Sequence, residues 1–340
     1  RDLIDRYGCD ALRFTLSALA APGRDIKLAE SRVEGYRNFV TKLWNAARYA
    51  DTYDCVYEPG FDPTACELTE NRWIAGALRD CAMAVTAALD AYRFDEAANR
   101  LYQFVWGTFC DWYVELTKPI LQGEGGQRQE ETRAMTAWVL GQIVHLLHPI
   151  APFVTEELWS HLSGGEGGML MTAAWPEMAS GDVSATAEME WIVAAISAIR
   201  GVRSEMNVPP GAYVPYLVKD ADASANRLLE RNRDHLLRLA RITPAEATAT
   251  VAGGIQVVVE GATFLLDLGE VVDLGQEKTR LGKEIGRLDA DLARFAAKLG
   301  NPGFLAKAKP EIIEEQRERE ADTRRDRDRL KAAYERLGAV

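Results

Sequence analysis

The chain has 340 residues, 27% of them charged and 47% hydrophobic, with a formal net charge of −11. That length allows two or three domains and a sizeable core, and the overall acidity speaks against a protein whose whole surface attracts nucleic acid. There is no run of about 18 apolar residues to span a bilayer and no basic-then-apolar leader; the five cysteines (9, 55, 66, 81, 110) contain no C-x-x-C pair, which argues against zinc or a disulfide framework and fits a reducing cytosol.

In chain order, residues 1–28 read as a short helix ("LIDRYGCDALRFTLSAL") and a loop with Pro22 and Gly23. Apolar residues at steps of three and four predict helices near 31–51, 68–90, 94–120, 129–147 and 153–163. Turn chemistry separates them in "YEPGFDP", "GEGGQ", "HPIAP" and "SGGEGG". Short connections between long amphipathic helices imply an antiparallel bundle over 29–185. Thr155, ahead of "EELW", reads as an N-cap. Over 186–272 a small α/β unit is expected. It consists of a helix in "EMEWIVAAISAIRGVRSEM", a strand in "YVPYLVK", a helix in "DASANRLLERNRDHLLRLA", and a hairpin in "GIQVVVEGATFLLDL" turning at Glu260–Gly261.

Residues 273–340 change character again. Leu274, Leu281, Ile285, Leu288, Leu292, Phe295 and Leu299 follow heptad spacing, and "GNPGF" then breaks the helix. A second helix from about Pro310 carries Ile313, Leu330, Tyr334 and Leu337 in phase, with Gln316, Glu320, Thr323 and Arg327 between them. Two such helices must fold back as an antiparallel hairpin reaching roughly 40 Å. The expected fold class is therefore mainly α: a helical bundle, a small α/β unit and a C-terminal coiled-coil arm.

The charge is uneven. Residues 1–50 carry +3 (9 basic, 6 acidic), 51–200 carry −14 (8, 22), 201–270 carry −2 (7, 9) and 271–340 carry +2 (16, 14). A polyanion would touch the ends and avoid the middle. On the 31–51 helix, Val33, Tyr36, Val40, Leu43, Ala47 and Ala50 make the core stripe, whereas Tyr49 falls in line with Asn38, Lys42 and Asn45. A tyrosine there either packs its ring on a neighbouring helix with the hydroxyl outward or offers a stacking platform to a splayed base, with the amides and ammonium beside it. At the arm's tip, Arg294, Lys298, Lys307 and Lys309 surround Asn301, Phe304 and Leu305, a composition suited to RNA. The arginines of "EQREREADTRRDRDRLK" alternate with acids and read mostly as a solvated face. His145 and His148 have no third ligand and read as a helix-end pair, and neither Gly-rich loop carries the Lys-Ser/Thr of a phosphate cradle. No catalytic constellation or metal site is found.

"LLHPIAPFVTEELW" and "FCDWYVELTK" together resemble the helical anticodon-binding domain of class I aminoacyl-tRNA synthetases of the Val/Ile/Leu group. "DLIDRYGCDALRFTLSALAAPGRDIKL" resembles the segment after the KMSKS loop of those enzymes, and "IRGVRSEMNVPPG" fits the region after the bundle. The ending, "LGNPGFLAKAKPEIIEEQRER" between heptad helices, is similar to the C-terminal arm of the valyl-tRNA synthetase family, and the cysteine-rich ending expected of isoleucyl enzymes is not seen. The resemblance implies the C-terminal part of an enzyme that makes valyl-tRNA from valine, ATP and tRNA. ATP and Mg would belong to the full-length enzyme, with no cofactor in this chain. The catalytic motifs and editing domain would lie before Arg1, so the chain alone should be inactive. It implies a cytoplasmic monomer that binds valine-specific tRNA and no membrane. It also implies that Tyr49 stacks on an anticodon base and that Lys27 lies near the same loop, with Arg32 beside the position of a family arginine, and that the arm contacts the outer corner of tRNA; Asn38, Lys42 and Asn45, in line with Tyr49, are then expected to contact the anticodon loop as well. Two other readings compete: a bundle and coiled-coil module for protein partners, and the same region of an isoleucyl or leucyl enzyme.

Overall fold

The computed structural model describes all residues except 24, 27, 166, 179–181, 246–253, 270, 309 and 339–340. Its contacts divide the chain into two compact units, Arg1–Glu190 and Trp191–Val340.

The first unit is the helical bundle. The opening segment breaks into α1 (Asp2–Tyr7) and α2 (Cys9–Leu19) at Gly8, whose φ of 88° suits only a residue without a Cβ. Then come α3 (Glu30–Thr52), α4 (Thr69–Asp90), α5 (Phe94–Tyr102), α6 (Val114–Leu121), α7 (Gln127–Leu147) and α8 (Pro152–Leu162). The run expected as one helix over 94–120 is continuous, but Gln103–Tyr113 winds as a π-helix. Its buried pairs Phe104/Phe109 and Val105/Cys110 recur at five residues, which matches i→i+5 winding better than an α-helix.

The core stripe of α3 is rotated from the expected one. Phe39 and Ala46 are buried with Val33, Leu43, Ala47 and Ala50, while Tyr36 and Val40 are half-buried. Phe14 of α2 packs against this face, its ring 4.9 Å from Phe39 and 4.7 Å from Tyr36. Thr155 does not cap α8: it lies inside the helix, and its hydroxyl donates to Ala151 O (2.8 Å). Pro152 occupies the first turn, and Asp10 of α2 caps from outside, accepting from Val154 N (2.7 Å) and Phe153 N (3.3 Å). Glu131 of α7 serves α4 in the same way, accepting from Glu67 N, Leu68 N and Asn71 Nδ2.

The second unit begins inside α9 (Val183–Glu205). Among the described residues four strands form one sheet in the order β2-β1-β4-β3. β1 (Val214–Lys219) runs parallel to β2 (Ile242–Pro244) and antiparallel to β4 (Ala262–Leu266), which closes a hairpin with β3 (Ile255–Val259). The crossover from β1 to β2 is α10 (Ala223–Arg231) and α11 (Arg233–Ala240). Gly261 turns the hairpin at φ 74°, and a Cβ there would sit 2.6 Å from Asp222 Oδ2, the carboxylate that caps α10.

The arm is α12 (Leu274–Leu299), a short helix α13 (Pro302–Lys307) at the turn, and α14 (Pro310–Gly338). The heptad reading predicts its seam: Leu281, Leu288, Gln316 and Leu337 are buried, and Ile285, Leu292, Phe295, Leu299, Ile313, Glu320, Thr323, Arg327, Leu330 and Tyr334 are half-buried. Across the polar middle, Arg327 pairs with Asp289 at 3.0 Å.

Candidate nucleic-acid interface

Helix α3 turns its polar face toward the π-segment and α6, so that face is a lined strip. Lys42 forms an ion pair with Asp111, and its Nζ lies 3.9 Å from the Trp106 ring centroid. Trp106 stacks on Tyr102 (5.7 Å, 16°). Two turns further, the Tyr49 ring packs 4.8 Å from Tyr53, with Lys118 Nζ 5.9 Å away. Lys118 is itself paired with Glu115, and Gln122 Nε2 donates to Tyr53 Oη (3.2 Å).

Of the residues singled out from sequence, Arg32, Asn38 and Asn45 are exposed. Asn38 Oδ1 accepts from Arg37 (3.1 Å), and the Asn45 amide makes no hydrogen bond among the described residues. Tyr49 is half-buried with its hydroxyl oxygen buried, so the ring lies along the groove with its tip inward, the reverse of a hydroxyl-out packing. Lys42 is not a bare cation: Asp111 and Trp106 already hold it. Lys27 lies outside the described residues. Sequence reading missed Tyr53, which caps the end of α3 four residues after Tyr49, and Tyr102, Trp106 and Lys118, whose approach to α3 spans loops the local pattern does not encode.

On the arm, Asn301 caps α13, accepting from Gly303 N (2.8 Å) and Phe304 N (3.4 Å). Phe304 is half-buried and not an exposed aromatic, because Lys298 covers it: the ammonium lies 5.1 Å from the ring and donates to Gln316 Oε1 (3.0 Å). Arg294 is paired with Asp291 (3.0 Å). Lys307 is exposed and takes no carboxylate among the described residues, and Lys309 lies outside them. The arginine-rich stretch of α14 pairs mainly within its own helix, as in Arg319–Glu315, Arg324–Glu320 and Arg329–Asp326.

The histidines are separate. His145 Nδ1 meets Gly141 O (2.7 Å) and its ring stands edge-on to Trp159, whereas His148 Nδ1 meets Thr155 Oγ1 (2.8 Å). Burial pushes the His148 pKa below the ordinary histidine value, against the opposing pull of Glu156. Among the described residues no His/Cys/Asp/Glu group could hold a metal, and no helix is long and apolar enough to cross a membrane.

Comparison with known proteins supplies the assignment. Residues 71–217 match the anticodon-binding domain of tRNA ligase, and residues 273–338 match the valyl-tRNA synthetase tRNA-binding arm. The valine–tRNA ligase of Caulobacter vibrioides is 47% identical over 344 residues, covering 99% of this chain, and that of Rhizobium meliloti is 46% identical over 340 residues, covering 99%. The chain belongs to the valyl-tRNA synthetase family. It spans 38% and 36% of the length of those two relatives. The family's arm coincides with α12–α14, and its anticodon-binding domain takes in Trp106 and Lys118 but begins after α3. Among solved structures, a leucyl enzyme (LeuRS) of Agrobacterium radiobacter K84, in ternary complex with tRNA and LeuAMS, matches at a TM-score of 0.39 and 21% identity over 52% of this chain and 21% of its own, which carries no weight in the assignment.

Proposed function

We propose that this chain is the RNA-reading part of a valine–tRNA ligase. The full-length enzyme would join valine to tRNA at the expense of ATP, with Mg as the nucleotide's ion; these 340 residues would supply recognition and not adenylate chemistry. The observation that carries the reading is the pairing of the two matched regions in one chain: an anticodon-binding bundle followed by a tRNA-binding arm. The strip on α3 supports it, since rings (Tyr49, Tyr53, Trp106) alternate there with amides and ammonium groups, the means by which single-stranded RNA is held. Arg32, Asn38, Lys42, Asn45 and Tyr49 would face the anticodon loop, with Lys27 the basic residue that the resemblance adds. Arg294, Lys298, Asn301, Phe304, Lys307 and Lys309 would face the outer corner of tRNA. The chain would act as a monomer in the cytoplasm.

The test is fluorescence anisotropy of labelled valine, isoleucine and leucine tRNA transcripts against the purified chain over a range of salt. Salt-dependent binding that favours the valine transcript is expected. Equal affinity for all three would move the assignment away from anticodon reading, and no binding would favour a protein-interaction module. Valine-dependent ATP–pyrophosphate exchange by the pure chain would refute the division of labour.

A further inference from the structure

In the second unit, a cavity of about 410 Å³ opens between the end of α9, the turn before β1 and the end of α11. Arg200, Arg203, Arg241, Ser204 and Asn207 line it, with Val208, Pro210, Leu239 and Ala240 as its apolar wall. Among the described residues that line it there is no carboxylate. In a chain of net charge −11 a cavity with three guanidinium groups and no lining acid needs an account.

Arg203 is 7% exposed, and it donates to Arg241 O (2.9 Å), Ala212 O (2.8 Å) and Pro209 O (3.4 Å). Those carbonyls satisfy donors and leave its charge without a counter-ion among the described residues. Burial, then the charges of Arg241 and Arg200, lower its pKa from the ordinary arginine value. The nearest acid along α9, Glu205, is taken by Arg336 at 2.5 Å. A purely structural account makes these arginines caps for the C-terminus of α11, where Arg200 Nε also donates to Leu239 O (2.8 Å). That covers Arg203 and not Arg241, whose side chain is exposed at the same cavity and has no acidic or carbonyl partner among the described residues.

We propose that this cavity binds a phosphate group, and that the phosphate is one of an RNA backbone. Guanidinium forks match phosphate oxygens two at a time, and Ser204 and Asn207 add a hydroxyl and an amide donor at the rim. The choice of RNA over a free phosphate compound rests on the function proposed above.

The experiment uses the whole chain, its Arg241→Gln and Ser204→Ala variants, and Tyr49→Ala as a reference. Arg203 is left intact because it ties three backbone segments together. Inorganic phosphate is titrated at constant ionic strength while the backbone amides of Ser204 and Asn207 are followed by NMR. Valine tRNA affinity is measured against salt. Saturable shifts that vanish in Arg241→Gln are expected, with tRNA affinity lowered roughly fivefold at 0.1 M salt and the salt slope reduced by about 0.7–0.9, the effect of one lost phosphate contact. Phosphate shifts with an unchanged tRNA slope would overturn the RNA source and assign the cavity to a free phosphate compound. No shifts and no slope change, with Tyr49→Ala still weakening tRNA binding, would overturn the site and leave the proposed function standing. Absence of salt-dependent tRNA binding by the unmodified chain would overturn both the function and the RNA source, and the phosphate titration would then decide the site alone.

Discussion

The ion pair of Lys42 with Asp111 decides what Lys42 can do for RNA, and a double-mutant cycle separates the possibilities. The two side chains are 27% and 47% exposed, so the pair contributes only about 0–1 kcal/mol to folding. Either single substitution should therefore leave the melting temperature of the bundle nearly unchanged. The effect on RNA should be larger. Lys42→Ala leaves Asp111 uncompensated on the strip, and a carboxylate that faces phosphate repels it. Asp111→Asn frees the Lys42 ammonium and raises the salt slope of tRNA binding by about 0.7, one added contact to single-stranded RNA. In the double variant both charges are gone, so binding should recover most of what Lys42→Ala lost, giving a clear coupling between the two positions. Anisotropy with a valine tRNA transcript at several salt concentrations reads all four corners. If the double variant binds as weakly as Lys42→Ala and Asp111→Asn changes nothing, Lys42 touches phosphate directly in spite of its partner. The neutralising role derived from the geometry is then wrong.

Three further outcomes are expected. Burial pushes the thiols of Cys55, Cys66, Cys81 and Cys110 up to about 12, while Cys9 is only half-buried; a thiol reagent at pH 8 should label one cysteine rapidly in the native chain and five in denaturant. Because the folded pKa of His148 is lowered from 6.5, its contribution to stability is complete above that value and is lost as pH falls below it; thermal melts between pH 7 and 5 should show the loss, and His148→Gln should flatten it. Gly261→Ala combines φ 74° with a Cβ 2.6 Å from Asp222 Oδ2 and should destabilise the second unit by about 1–2 kcal/mol, seen as a lower urea midpoint; an unchanged midpoint would mean that the turn relaxes freely.

Most helices of the bundle are legible because their signals are local. The apolar period and the Gly/Pro punctuation place 31–51, 68–90, 129–147 and 153–163 within two residues of α3, α4, α7 and α8. The heptad phase of the arm is legible for the same reason. What escapes is set by partners distant in sequence. β2 is three residues long, includes Pro244, and exists as a strand through its pairing with β1. The capping of α8 comes from Asp10, 143 residues before Phe153, so a Thr that looks like a cap loses to a carboxylate no local pattern reveals. The burial of Phe39 against Phe14 of α2 is another such contact.

The candidate site follows that rule. Tyr49 stands out because a ring on a polar helical face violates the period, and violations are visible in sequence. What surrounds it is not: Asp111 lies 69 residues from Lys42, and Trp106 reaches Lys42 only because the π-segment faces α3. This pairing reconciles the site with a middle region of −14. Each strip ammonium, Lys42 and Lys118, already has its own carboxylate, so non-specific attraction for polyanions is small there. Under the proposed function, rings and amides there would discriminate among RNA loops without strong pull toward every phosphate. Arg32 at one end of the chain, Arg241 in the α/β unit and Lys307 in the arm take no carboxylate among the described residues and lie outside that acidic middle, although Arg100 and Arg128, also without one, lie within it. Under the proposed function, general electrostatic affinity would come from such cations, and selectivity from the strip whose charge is balanced.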